Sequence, residues 1–209
     1  MKHLILISFI ILNLNILARE IEETTFSYWD KPDSQIYYST PNTIDADTKI
    51  IFIMHGASRG AKKYLNDWLP LAKDRNVVLI APEFTKESYP EYVYLMMSTE
   101  RGKLLKDSSL YLTDSLGLLF DYFKAKFDLS TNTFRLYGHS GGSQFVHRYL
   151  LLSDESRVEK AAMANAGFYT FADAQIAYPF GIKNMDVSNE RLEWFLRLKG
   201  GVFLGDADN

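Results

Sequence analysis

Past residue 18, apolar and polar positions follow two patterns that take turns along the chain. Short, nearly unbroken apolar runs form the first: "TKIIFIMHG", ending at Gly56, then "NVVLIAPEF", "NTFRLYGHS" and "VEKAAMANAG". Each predicts a strand buried on both faces. Pro82 is expected to stop the second of them, and "GGVFLGDADN" predicts a fifth buried strand. The other pattern is helical. Leu65, Trp68, Leu69 and Ala72 share one face of a helix over 61–74. "SSLYLTDSLGLLFDYFKAKF" carries a helical stripe behind two capping residues, Asp107 and Ser108. "GGSQFVHRYLLLS" and "SNERLEWFLRLK" predict two more helices, the last capped by Ser188 or Asn189. Upstream, "TTFSYWD" and "QIYYST" flank the turn composition "KPDS" and predict a β-hairpin. Residues 85–107 and 168–187 are irregular and predict loops, the first with room for a short helix.

Strand and helix in alternation predict an α/β fold, a mostly parallel sheet with helices on both faces. At 209 residues the chain suits one domain, 19–209, and hardly two. In such sheets ligands bind beyond the carboxyl ends of the strands. The residues there are His55-Gly56-Ala57, Glu83-Phe84, Ser140-Gly141, Asn165-Ala166-Gly167 and Asp206 to Asn209.

The leader "MKHLILISFIILNLNILA" changes the picture of location. A basic start, an apolar run and a small residue at Ala18 form a signal peptide over 1–18. Asn13 and Asn15 interrupt the run and disfavour a spanning helix. An uncleaved N-terminal anchor is the alternative. The expectation is a secreted or periplasmic protein with no membrane association after cleavage. There is no cysteine, hence no disulfide and no thiolate chemistry. A net charge of -3 without charge blocks gives no nucleic-acid footprint. Four scattered histidines offer no metal-ligand spacing, and no phosphate loop is present, so neither metal nor cofactor is expected.

The chemistry gathers at Gly138-His139-Ser140-Gly141-Gly142. A G-x-S-x-G run between a buried strand and a helix has the context of a nucleophile elbow. The chain must reverse there so that Ser140 points out at the top of the sheet, with small neighbours on both sides. The helix that follows aims its free amides at the site, and the amide of Gly141 can donate to an oxyanion. A second amide is expected from the loop after His55-Gly56, at Ala57 or, alternatively, Ser58. A catalytic acid is expected at Asp208, three residues past Gly205, with Asp206 as the fallback. The plain reading of each is a packed turn: a glycine-rich turn around an idle serine, or a solvated acidic turn.

These stretches carry a resemblance. "IIFIMHGASRGAKKYLNDWLPLA", "VVLIAPEF", "LYGHSGGSQFVHRYLL", "MANAGFYT" and "VFLGDAD" resemble the α/β-hydrolase superfamily. Within it they are similar to secreted polyhydroxybutyrate-depolymerase-like or feruloyl-esterase-like hydrolases. The resemblance runs from about Lys49 onward. It implies Ser140 as nucleophile, Asp208 as acid, amides near Ala57 and at Gly141 as the oxyanion hole, and hydrolysis of a small or polymeric ester through an acyl-serine.

A base is the missing part. Of the four histidines, His3 lies in the leader, and His147 is about 10 Å along its helix from Ser140. His139 adjoins the serine and points away from it, and His55 is expected to brace its own loop. In the superfamily the histidine follows the acid, after the last strand. The expectation is therefore a C-terminally truncated hydrolase, lacking the last helix, strand and histidine loop and inactive as it stands. Two rivals are a binding pseudoenzyme and a serine peptidase of the same fold; a third lets His55 serve as base.

Overall fold

A computed structural model describes residues 19–206. The expected signal peptide and Asp208 lie outside the described residues. Seven strands form one sheet: β1 (Glu22–Phe26), β2 (Ser34–Ser39), β3 (Lys49–Met54), β4 (Val77–Glu83), β5 (Phe134–His139), β6 (Val158–Ala164) and β7 (Lys199–Phe203). Their order across the sheet is β1-β2-β4-β3-β5-β6-β7. The hairpin β1–β2 and the β2–β4 pair are antiparallel. From β4 to β7 every pair is parallel.

Among the described residues four helices complete the layers: α1 (Ala61–Ala72), α2 (Ser115–Lys126), α3 (Gly141–Leu152) and α4 (Asn189–Arg197). Strand alternation decides which helix covers which face. Ile53 of β3, with Leu79 and Ala81 of β4, packs against Ala61, Leu65 and Ala72 of α1. Ile50, Phe52 and Met54 turn the other way, against Leu119, Phe120 and Phe123 of α2 and Phe145 and Tyr149 of α3. Near-continuous apolar strands are the consequence of burial on both faces.

Three sequence expectations need correction. Pro82 does not stop β4, which runs on to Glu83. Pairing with β3 ends at Ile80 while pairing with β2 continues through Glu83, so Pro82 stands where the β3-side ladder has already ended. The helix after Asp107 starts later than expected. Asp107 caps a 3₁₀ turn over Ser108–Leu110, its side chain accepting from Ser109 N. A second turn, Leu112–Asp114, precedes α2. Strand β7 is not buried: among the described residues it pairs with β6 alone, and Val202 and Phe203 are more than half exposed. At α4, of the two cap candidates, Ser188 serves, accepting from Arg191 N.

Candidate active site

Ser140 sits between the end of β5 and the start of α3, and its backbone is strained. Its φ of 56° and ψ of −122° lie where side-chain-bearing residues rarely go, at a typical cost of about 1–3 kcal/mol. The surroundings enforce this turn. A β-carbon on Gly138 would meet the carbonyl oxygen of Gly142 at 2.2 Å, and one on Gly142 would meet that of Met54 at 2.0 Å. Both distances are impossible, so the outer glycines of the motif are required by close packing of β5, α3 and the end of β3. The Ser140 amide donates to Ala164 O at 2.9 Å, which ties the turn to β6.

The loop after β3 comes alongside. A β-carbon on Gly141 would stand 3.0 Å from Ala57 N, and one on Gly56 would stand 3.5 Å from Ser140 Cβ. Neither the Ala57 nor the Gly141 amide has an acceptor among the described residues. Ala57, Ser140 and Gly141 line one cavity of about 530 Å³, with Val93, Tyr94 and Gln144 on its wall. Ser58 does not line it. Arg59, Lys86, Glu91 and Glu100 stand at its rim. Burial, reinforced by repulsion from Glu100, raises the Glu91 carboxyl above its ordinary value. Asp206 is exposed in the turn after β7.

The described histidines are engaged elsewhere. His55 is buried; its Nδ1 bonds to Gly56 O at 3.0 Å, and its Nε2 accepts from Phe84 N at 3.1 Å. His147 is buried as well, with Nδ1 on Ser143 O at 3.0 Å and Nε2 accepting from Thr170 N at 2.8 Å. Each ring therefore holds its proton on Nδ1 and is neutral. Burial pushes His55 down to about 4. Burial, aided by the Arg148 charge, pushes His147 down to about 3. The His139 ring turns to the α1 side, where Nδ1 bonds to the Tyr64 hydroxyl at 3.2 Å.

Two arginines around the cavity were not singled out by sequence. Arg59 donates to the carbonyls of Phe84 at 2.6 Å and Pro90 at 3.0 Å, and lies over the Tyr92 ring. Arg148 is fully buried, between the rings of Tyr94 and Phe168. It donates to Thr170 Oγ1 and to the carbonyl of Val93. Neither arginine has a carboxylate within ion-pair distance among the described residues. Burial draws the Arg148 guanidinium down to about 10. Together they hold segment 84–94 against the two loops that carry Ala57 and Ser140. The only sequence signal was a charged residue inside the apolar stripe of α3.

No protein-family model matches the chain, and no curated protein does. Solved structures do. Poly(aspartic acid) hydrolase-1 from Sphingomonas sp. KT-1 superposes with a TM-score of 0.83 at 31% identity, over 92% of this chain and 74% of that one. The poly(3-hydroxybutyrate) depolymerase LpqC from Bordetella parapertussis gives 0.79 at 21% identity, over 90% and 67%. A fluorophosphonate-binding serine hydrolase from Staphylococcus aureus, FphF, gives 0.59 at 16% identity, over 90% and 79%. At such identities the latter two show a shared fold.

Proposed function

This chain belongs to the α/β-hydrolase superfamily, in its polyhydroxybutyrate-depolymerase-like branch, and from that premise we propose that it is an exported serine hydrolase that cleaves carboxylic esters through an acyl-serine intermediate. The observation that carries the reading is the strained Ser140 turn, with the free amides of Ala57 and Gly141 side by side at one cavity. Ser140 Oγ attacks the ester carbonyl and gives its proton to a base. The two amides and the positive end of α3 take the charge that develops on the carbonyl oxygen. The C–O bond breaks, the alcohol leaves with that proton, and water then releases the acid from Ser140.

The base in this reading is a histidine oriented by Asp208, and it is none of His55, His139 or His147. The first and last have both ring nitrogens engaged, and His139 faces Tyr64. The test is covalent labelling by a fluorophosphonate, located by peptide mass, in this chain and in any longer product of its reading frame. The expected result is labelling at Ser140 of a longer product that carries the histidine, weak in this chain and lost in Ser140→Ala. A folded product that carries a further histidine past position 209 and stays unlabelled would point to a binding protein built on the same fold.

Amide hydrolysis is a second reading, favoured by the poly(aspartic acid) hydrolase at 31% identity, whose substrate is a polyamide. Turnover of p-nitrophenyl esters against anilides separates the two.

A further inference from the structure

Gln144 stands one turn into α3 and lines the same cavity as Ser140. Its main-chain amide donates to Ser140 O at 3.1 Å. Residues four apart share a helix face, and helical side chains lean toward the N-terminus. The Gln144 side chain therefore leans toward the Ser140 end of the helix.

Its two amide atoms are not interchangeable. Arg148 Nη1 donates to Gln144 Oε1 at 3.2 Å and to the Gln144 carbonyl at 3.4 Å. A guanidinium has donors only, so the oxygen must face it and Nε2 must face away. Arg148 is itself held by Thr170, Val93 and the rings of Tyr94 and Phe168, so the orientation is locked. A β-carbon on Gly167 would stand 3.2 Å from Nε2, and the glycine leaves the amide its room. Nε2 has no acceptor among the described residues, although Gln144 is half-buried. The nearby Arg59 is spent on the carbonyls of Phe84 and Pro90.

We propose that Gln144 determines specificity by donating from Nε2 to a second acceptor oxygen of the substrate, beyond the carbonyl attacked by Ser140. The favoured substrates are then esters or amides with a further carbonyl near the scissile bond, as every repeat of a polyester or polyamide supplies. The inference rests on reading the Ser140 cavity as the substrate site. An oriented donor facing the site favours substrates that carry a second acceptor over analogues that lack one.

The test is a titration of the folded chain followed at the Gly141 amide by NMR, which reads binding without turnover. The probes are methyl levulinate, whose ketone only accepts, and methyl valerate, which lacks it. The readout is the ratio of their dissociation constants. The preference for levulinate should fall about tenfold in Gln144→Met. It should fall as far in Gln144→Glu, which keeps an oxygen for Arg148 and loses the donor. A ratio unchanged in Gln144→Glu would mean that Gln144 serves only to hold Arg148, and would overturn the proposal; so would a ratio unchanged in Gln144→Met. If neither ester moves the Gly141 signal of the folded wild type, the substrate-site reading fails, and this inference fails with it.

Discussion

The α-carbon of Gly142 lies so close to Met54 that a β-carbon there would stand 2.0 Å from the Met54 carbonyl oxygen. The first turn of α3 is thus in backbone contact with the end of β3, and this contact sets how near Ser140 comes to Ala57. Gly142→Ala should cost roughly 3 kcal/mol or more, because backbone must move on both sides. Gly60→Ala, whose nearest neighbour would be 3.8 Å away, should cost less than roughly 1 kcal/mol. Urea midpoints at constant m-value decide between them.

Strain at Ser140 has its own signature. Alanine at 140 keeps the penalty of a positive φ, whereas glycine removes it. Part of the gain is returned through the freer unfolded chain. Ser140→Gly should therefore be more stable than Ser140→Ala by about 1 kcal/mol. Equal melting temperatures would show that the turn is relaxed.

Acid should weaken the fold through its neutral histidines. His55 and His147 have folded values of about 4 and about 3, below the ordinary 6.5. Between those limits the unfolded chain binds protons that the folded chain refuses. Their contribution is fully present above the ordinary value. It falls as pH drops toward the folded values, by up to about 1.4 kcal/mol per pH unit for each ring. Denaturant unfolding across that window measures the slope. His147→Gln should lower stability at neutral pH and flatten the slope by about one proton.

Arg148 should tolerate no exchange for lysine. Its planar fork serves Thr170 Oγ1, the Val93 carbonyl and Gln144 at once, and an ammonium on a flexible stem cannot reproduce that geometry. Arg148→Lys should cost about 2–4 kcal/mol. It should also speed hydrogen exchange in residues 93–96 and 170–178, which the guanidinium joins. Loss of stability without faster exchange there would mean that Arg148 acts only through packing.

Much of this was legible in one dimension. Apolar runs of strand length alternated with helical stripes, and the sheet and its four helices followed, because burial on two faces leaves that periodicity in any order of strands. Gly138, Ser140 and Gly142 announced themselves because a sharp turn between strand and helix leaves no room for larger neighbours. Boundaries were less legible at Pro82 and Ser108. Pro82 is tolerated because β3 no longer pairs at that level, and Asp107 caps a 3₁₀ turn as readily as a helix. The apolar run "GGVFLG" announced a strand, and only its pairing with β6 placed it in the sheet.

The sequence by itself determined the α/β layering and the serine-bearing turn, since both arise from periodicity and local backbone sterics. Only the tertiary structure decided that Ala57 N comes beside Gly141, that the Nε2 atoms of His55 and His147 accept from the distant main-chain amides of Phe84 and Thr170, and that Arg148 locks the amide of Gln144. Those relations join residues as far apart in sequence as Ala57 and Gly141. Hydrogen-bond partners and desolvation depend on which segments meet in space, and no local pattern encodes them.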